Sequence, residues 1–125
     1  MSMWLTIGFF LMASGAIPSE VMSFKDAKEL ADAHEQKLST KDAAKLAKAQ
    51  GIIVERALSD CLSGKSGKSQ VPIVVVAKVS ASGRVVKTWR DGAGDVALCF
   101  QRYVSKSILE LPAGKSYFTS FEMDF

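Results

Sequence analysis

With 125 residues, the chain has the size of one small domain, or of one domain with a short extension. Hydrophobic residues make up 48% of it, which is enough for a folded core and excludes a purely disordered polar chain. Its 16 Lys and Arg against 13 Asp and Glu give a net charge of +3, and because these charges are interspersed we expect no nucleic-acid partner.

Residues 1–16 have the composition of an export signal. An apolar run over 4–13 is followed by three small residues that end at Ala16, the spacing typical of signal-peptidase cleavage after that residue. No Lys or Arg precedes Trp4, so an uncleaved membrane anchor and a cytosolic chain remain as alternatives, although a spanning helix needs roughly 20 apolar residues. We predict a periplasmic protein of a Gram-negative bacterium, with no membrane insertion after signal cleavage.

Residues 17–50 are predicted to form a helical arm, because they are rich in Ala, Lys, Glu and Asp. Helix starts are placed at Ser23 and Ser39, since each Ser is followed three residues later by an Asp that favours the positive end of a helix. The apolar stripe of the arm is thin and consists of Phe24, Ala27, Ala31 and Leu38. We therefore expect the arm to be separable from a domain at 51–125.

A second helix is predicted over 40–62, with Gly51 favouring a kink or a break in its middle. The half after Gly51 is more apolar and is better suited to pack on a sheet. The face expected to be buried consists of Ala43, Ala47, Gln50, Val54, Ala57, Leu58 and Cys61.

The rest of the domain is predicted to be strand, strand, helix, strand. Apolar residues at every second position of 71–79 indicate a strand, and a turn returns the chain into a second strand over 84–90. A helix begins near Asp95, and 116–125 form the last strand. The apolar stripe of that helix consists of Val96, Cys99, Phe100 and Tyr103. The predicted fold class is α+β, a small three-stranded antiparallel sheet covered on one face by two helices in the order α-β-β-α-β and preceded by the arm.

The chain has two cysteines, Cys61 and Cys99, each on the apolar face of a predicted helix. Both helices are expected on the same face of the sheet, and an exported chain enters an oxidising compartment, so we predict a disulfide between them. Two buried free thiols are the alternative. The lack of a Cys-x-x-Cys motif speaks against a redox role.

Three features together resemble the C-terminal domain of TonB proteins. They are the hairpin sequence Val-Pro-Ile-Val-Val-Val-Ala-Lys-Val-Ser-Ala-Ser-Gly-Arg-Val at 71–85, a helix that ends before Leu111 and Pro112, and an aromatic-rich last strand. One cysteine before the hairpin and one in the following helix make the chain more similar to the AgmX/PglI C-terminal branch. The resemblance covers about 52–125 and supports the fold, whereas the Pro-rich spacer of TonB energy transducers is missing.

No pattern in the sequence points to catalysis. The Gly-Lys-Ser strings at 64–66 and 67–69 lack the earlier glycine that a phosphate-binding loop needs. His34 is the single histidine and lies in the arm, away from a nucleophile. We expect a non-enzyme with no cofactor and no metal site.

The predicted function is a protein-interaction module that binds a protein partner of unknown identity at a sheet edge. The last strand of the sequence is the expected edge, and its outward face is the predicted partner site. This face consists of Phe118, Ser120, Glu122 and Asp124. The alternative is a periplasmic inhibitor or immunity protein that neutralises a toxin or an envelope enzyme, through a loop such as 63–70. A homodimer is compatible with both functions.

Overall fold

The computed structural model describes residues 21–62, 72–109 and 114–123. The elements are α1 (Phe24–Gln36), α2 (Thr40–Leu62), β1 (Ile73–Val79), β2 (Val85–Asp91), α3 (Asp95–Ser105) and β3 (Tyr117–Met123). The strands form an antiparallel sheet in the order β2-β1-β3. The predicted α+β class and three-stranded sheet are confirmed, whereas the export signal at 1–16 and the loop at 63–70 lie outside the described residues.

Both predicted helix starts are confirmed by side-chain caps. The Ser23 hydroxyl accepts from the Asp26 N–H at 3.1 Å, and the Asp26 carboxylate accepts from the Ser23 N–H at 3.4 Å, so α1 begins with a capping box. At the start of α2, the Ser39 hydroxyl accepts from the Asp42 N–H at 3.1 Å. These bonds satisfy first-turn donors that have no partner inside a helix.

The second helix, α2, continues through Gly51 without a break. The boundary predicted between residues 50 and 51 therefore falls inside a helix, and the structure gives no division of the chain there. The buried side chains of α2 are Leu46, Ile53, Ala57 and Cys61. Ala43 and Ala47, which were expected in the core, are exposed. The buried face of α2 is therefore rotated about the helix axis relative to the predicted face. Burying large side chains such as Leu46 and Ile53 removes more apolar area from water than burying alanines.

Helices cover the sheet on both faces. One face packs against α2 and α3, with Phe100 and Phe121 among its fully buried side chains. On the opposite face α1 packs through Ala27 and Ala31, both 0% exposed, beside Val76 of β1. Besides the two helices predicted on one face, the structure thus has a third helix, α1, on the opposite face, where it contributes to the core.

A disulfide joins Cys61 at the end of α2 to Cys99 in α3, with 5.7 Å between the two Cα atoms. The predicted pairing is confirmed, and the alternative of two free thiols is excluded. The buried stripe of α3 consists of Ala97, Phe100 and Val104. The other predicted members of that stripe, Val96, Cys99 and Tyr103, are half-buried beside it.

Candidate interaction site at the sheet edges

Two strands of the sheet have an outer edge, because β1 lies between β2 and β3. In β3, both backbone groups of Ser120 bond to side chains on the side away from β1. Val76 lies opposite Ser120 and exchanges no backbone hydrogen bond with it, so the N–H and C=O of Val76 point the other way, toward Trp89 of β2. The backbone groups of successive residues in an antiparallel strand point to opposite sides, so those of the neighbours of Trp89 point away from β1. The outward groups are therefore those of Phe118, Ser120 and Glu122 in β3 and of Thr88 and Arg90 in β2.

Two helix side chains close the middle of the β3 edge. Glu35 Oε2 accepts from the Thr119 hydroxyl at 2.6 Å and from the Ser120 N–H at 3.2 Å. Gln50 Nε2 donates to the Ser120 carbonyl at 2.8 Å and to Thr119 Oγ1 at 2.7 Å. We term Glu35, Gln50, Thr119 and Ser120 the edge clasp. An incoming strand meets no free donor at Ser120, and the carbonyl there is already engaged.

The structure places three of the four residues predicted to contact a partner, and these three differ in exposure. Phe118 is half-buried, with its ring centroid 5.7 Å from that of Trp89. Ser120 is 8% exposed and belongs to the edge clasp. Glu122 is exposed, and Asp124 lies outside the described residues. The outward face of β3 is thus largely covered, and a partner role for these residues stays a prediction.

The β2 edge is open at Thr88 and Arg90. Within 21–62, 72–109 and 114–123, no hydrogen bond reaches the outward backbone groups of these two residues. Their side chains are held by Gln101 of α3: Gln101 Nε2 donates to Thr88 Oγ1 at 3.1 Å, and Arg90 Nε donates to Gln101 Oε1 at 3.0 Å. Both backbones are therefore fixed while their polar groups face outward.

Ile108 lies against the beginning of the β2 edge, where it forms a single antiparallel bridge with Arg84. A groove of about 320 Å³ lies there, lined by Arg84, Val85, Val86 and residues 105–108. On the other side of Ile108, a groove of about 420 Å³ is lined by Ile53, Arg56, Tyr103 and residues 106–108. All charged side chains of both linings are cationic. Beside the edge clasp, a third groove of about 390 Å³ has Glu55 and Glu122 as its charged residues.

His34, the single histidine of the chain, packs against β3. Its ring stacks on Tyr117 at 4.9 Å between centroids, and its Nε2 is buried with no partner in the described part of the chain. Burial also raises the pKa of Tyr117 to about 12, and its hydroxyl donates to the Leu109 carbonyl at 3.3 Å. The described residues include no group of His, Cys, Asp or Glu side chains that could hold a metal ion.

Sequence reasoning missed Thr88 and Arg90 because the order of the strands is a non-local property. A hairpin of β1 and β2 leaves one side of each strand unpaired, and β3 could join either side. The signal that favours the observed order is the near-continuous apolar run of β1, which is typical of a central strand, whereas β2 carries Lys87, Arg90 and Asp91.

Comparisons of the chain with known protein families, with curated proteins and with solved structures find no match. None of the helices in the described ranges is long and apolar enough to cross a membrane. A functional assignment therefore depends on the geometry of the two sheet edges.

Proposed function

We propose that the protein is an exported, non-catalytic interaction module that binds an extended segment of a protein partner by strand addition at the β2 edge. The observation that carries the proposal is the pair of outward-facing backbones at Thr88 and Arg90, which receive no hydrogen bond from the described residues. Such groups can pair with the backbone of another chain. The proposed site is thus on the opposite edge from the β3 residues predicted from the sequence.

The two edges differ in what a partner would have to displace. At Ser120 it would break a hydrogen bond to the Glu35 carboxylate, and bonds to charged groups are worth about 1.5–3 kcal/mol. At Thr88 and Arg90 it would break no hydrogen bond made by a described residue. The β2 edge is therefore the favoured site.

Export is part of the same proposal and is supported by the disulfide, since such bonds persist in oxidising compartments. We further propose membership of the TonB C-terminal-like group, because the order of α2, β1, β2, α3 and β3 is the α-β-β-α-β order that the resemblance implies. Intact mass of the protein recovered from the periplasm tests export: we expect a chain that begins at Ile17. A chain that retains 1–16 would contradict cleavage.

Strand addition can be tested with peptides selected from a random displayed library against the oxidised protein. An enriched peptide is titrated into isotope-labelled protein, and we expect the amide signals of Thr88 and Arg90 to shift. The variant Thr88→Pro lacks one outward donor and should bind the same peptide more weakly while keeping its fold, because that amide takes no part in the β1–β2 ladder. It also lacks the hydroxyl that accepts from Gln101, so the control is Thr88→Val, which lacks the hydroxyl but keeps the donor and should bind normally. Enriched peptides that shift β3 and leave β2 unchanged would contradict the proposed site.

A further inference from the structure

The surface beside the β2 edge carries cationic side chains that form no ion pair with a described carboxylate. Within the described parts of the chain the single ion pair joins Lys28 and Asp32 on α1. Arg56, Arg84 and Lys106 are all exposed, and none of them pairs with a carboxylate of a described residue. Unpaired cations on one surface attract an anionic partner over a distance set by the ionic strength.

Exposed aliphatic side chains lie among these cations. Val86 is 57% exposed and Ile108 is 62% exposed. Both line the 320 Å³ groove together with Arg84 and Lys106. Ile108 also lines the 420 Å³ groove, which contains Arg56 and Tyr103. We term Arg56, Arg84, Val86, Tyr103, Lys106 and Ile108 the cationic surface.

We propose that the segment added at the β2 edge is acidic, an extended strand in which Asp or Glu alternates with aliphatic residues. This inference rests on the proposed strand addition. The carboxylates would pair with Arg84 and Lys106, and charge-assisted hydrogen bonds of this kind are stronger than neutral ones. The aliphatic side chains would cover Val86 and Ile108 and remove their apolar area from water.

The segment needs both chemistries because Arg84 and Lys106 line the 320 Å³ groove together with Val86 and Ile108. A basic segment would place like charges beside Arg84 and Lys106, which is destabilising. An anionic lipid surface would match the charge of the cationic surface but would offer no backbone groups to Thr88 and Arg90. The acidic peptide segment satisfies both features of the site.

Two synthetic peptides of equal length distinguish an acidic from a basic segment at this site. In one, Glu alternates with Val, and in the other, Lys alternates with Val; each is titrated into the oxidised protein and followed by amide NMR. We expect the acidic peptide to bind at least roughly tenfold more tightly, a difference of about 1.4 kcal/mol, and to weaken as salt is added. The double variant Arg84→Glu with Lys106→Glu should reverse the preference. The control, Lys41→Glu with Lys45→Glu, changes the net charge equally at exposed positions of α2 and should not.

The outcomes distinguish the inference from the proposed function. If both peptides shift the amides of Thr88 and Arg90 with equal affinity, strand addition stands and the acidic preference is wrong. If neither peptide shifts these amides, both proposals are overturned. Binding to phosphatidylglycerol vesicles with no response to either peptide would assign the cationic surface to anionic lipid instead.

Discussion

Glu35 reaches from α1 to the outer edge of β3, where its carboxylate holds the Thr119 hydroxyl and the Ser120 N–H. Thr119 and Ser120 are 0% and 8% exposed, so water would replace the carboxylate only in part if it were removed. An exposed strand edge is also a template for pairing with other chains. The edge clasp therefore stabilises the fold and protects β3 from self-association.

Replacing Glu35 by Ala should lower the free energy of unfolding by about 2–4 kcal/mol, because two buried donors lose their acceptor at about 1–3 kcal/mol each and part of this is recovered by relaxation. Urea unfolding measures the change. The matched control is Glu29→Ala, on the same helix at an exposed position, with an expected loss below about 0.5 kcal/mol. Equal losses in the two variants would show that the clasp contributes nothing.

Tyr117 gives the fold a dependence on alkaline pH. Its pKa is raised from 10.0 to about 12 by burial, so the ionised form is better tolerated in the unfolded chain. The stability that the neutral phenol contributes is fully present below pH 10 and is lost as the pH rises through 12. We expect the free energy of unfolding to fall over this window, and to fall less in Tyr117→Phe than in the control Tyr103→Phe. The same slope in both variants would contradict this assignment.

At the scale of the elements, α1 packs on the sheet face opposite α2 and α3 and belongs to the core. Ala27 and Ala31 let the helix approach the sheet closely, and Trp89 Nε1 donates to the Met22 carbonyl at 2.9 Å just before α1 begins. Small side chains give only a weak apolar stripe in the sequence, which is why α1 was expected to be separable. The caps at its start could be predicted because they depend on residues three positions apart.

A charge placed under α1 tests this packing. Ala31→Glu should destabilise the protein by at least about 2 kcal/mol, because the carboxylate would be buried at a site with 0% exposure. Ala33→Glu introduces the same residue at an exposed position of the same helix and should have little effect. The two variants are compared by thermal unfolding followed by circular dichroism. If Ala31→Glu unfolds like Ala33→Glu, α1 does not belong to the core.

The disulfide connects α2 and α3 across 38 residues of sequence. In the chain-entropy model, closing a loop of this length stabilises the fold by about 4 kcal/mol. The double variant Cys61→Ala with Cys99→Ala should therefore unfold at lower urea concentration than the oxidised protein, and reductant should shift the parent but leave the variant unchanged. A parent protein that is insensitive to reductant would contradict a stabilising role.

The alternating strands and the pairing of Cys61 with Cys99 could be predicted from the sequence because period-two burial and the count of cysteines are properties of the chain itself. The edge clasp could not, since Glu35 and Gln50 are each more than 65 residues away from Ser120 in sequence, with separations of 85 and 70. Nothing local to Glu35 indicates that its carboxylate faces a strand edge. The candidate site moved from β3 to β2 for the same non-local reason.

At the scale of the whole molecule, the two sheet edges differ in which groups cover their outward backbone. At β3, helix side chains occupy the outward backbone of Ser120. At β2, the protection consists of Ile108 beside Arg84, and a register shift in the β1–β2 ladder next to Val79. The backbones of Thr88 and Arg90 lie beyond both, next to the cationic surface. The β3 edge is thus closed at its middle by the edge clasp, whereas no described residue bonds to the outward backbone groups of Thr88 and Arg90. The β2 edge is therefore the place where we propose that a partner strand is added.

Hydrogen exchange of individual amides tests this account most directly. On addition of a saturating selected peptide, the amides of Thr88 and Arg90 should exchange more slowly, because each would donate to the added strand. The Ser120 amide, which already donates to Glu35, serves as the internal reference and should not change. Slower exchange at Phe118 and Glu122, with Thr88 and Arg90 unchanged, would contradict the β2 site and return the partner to β3.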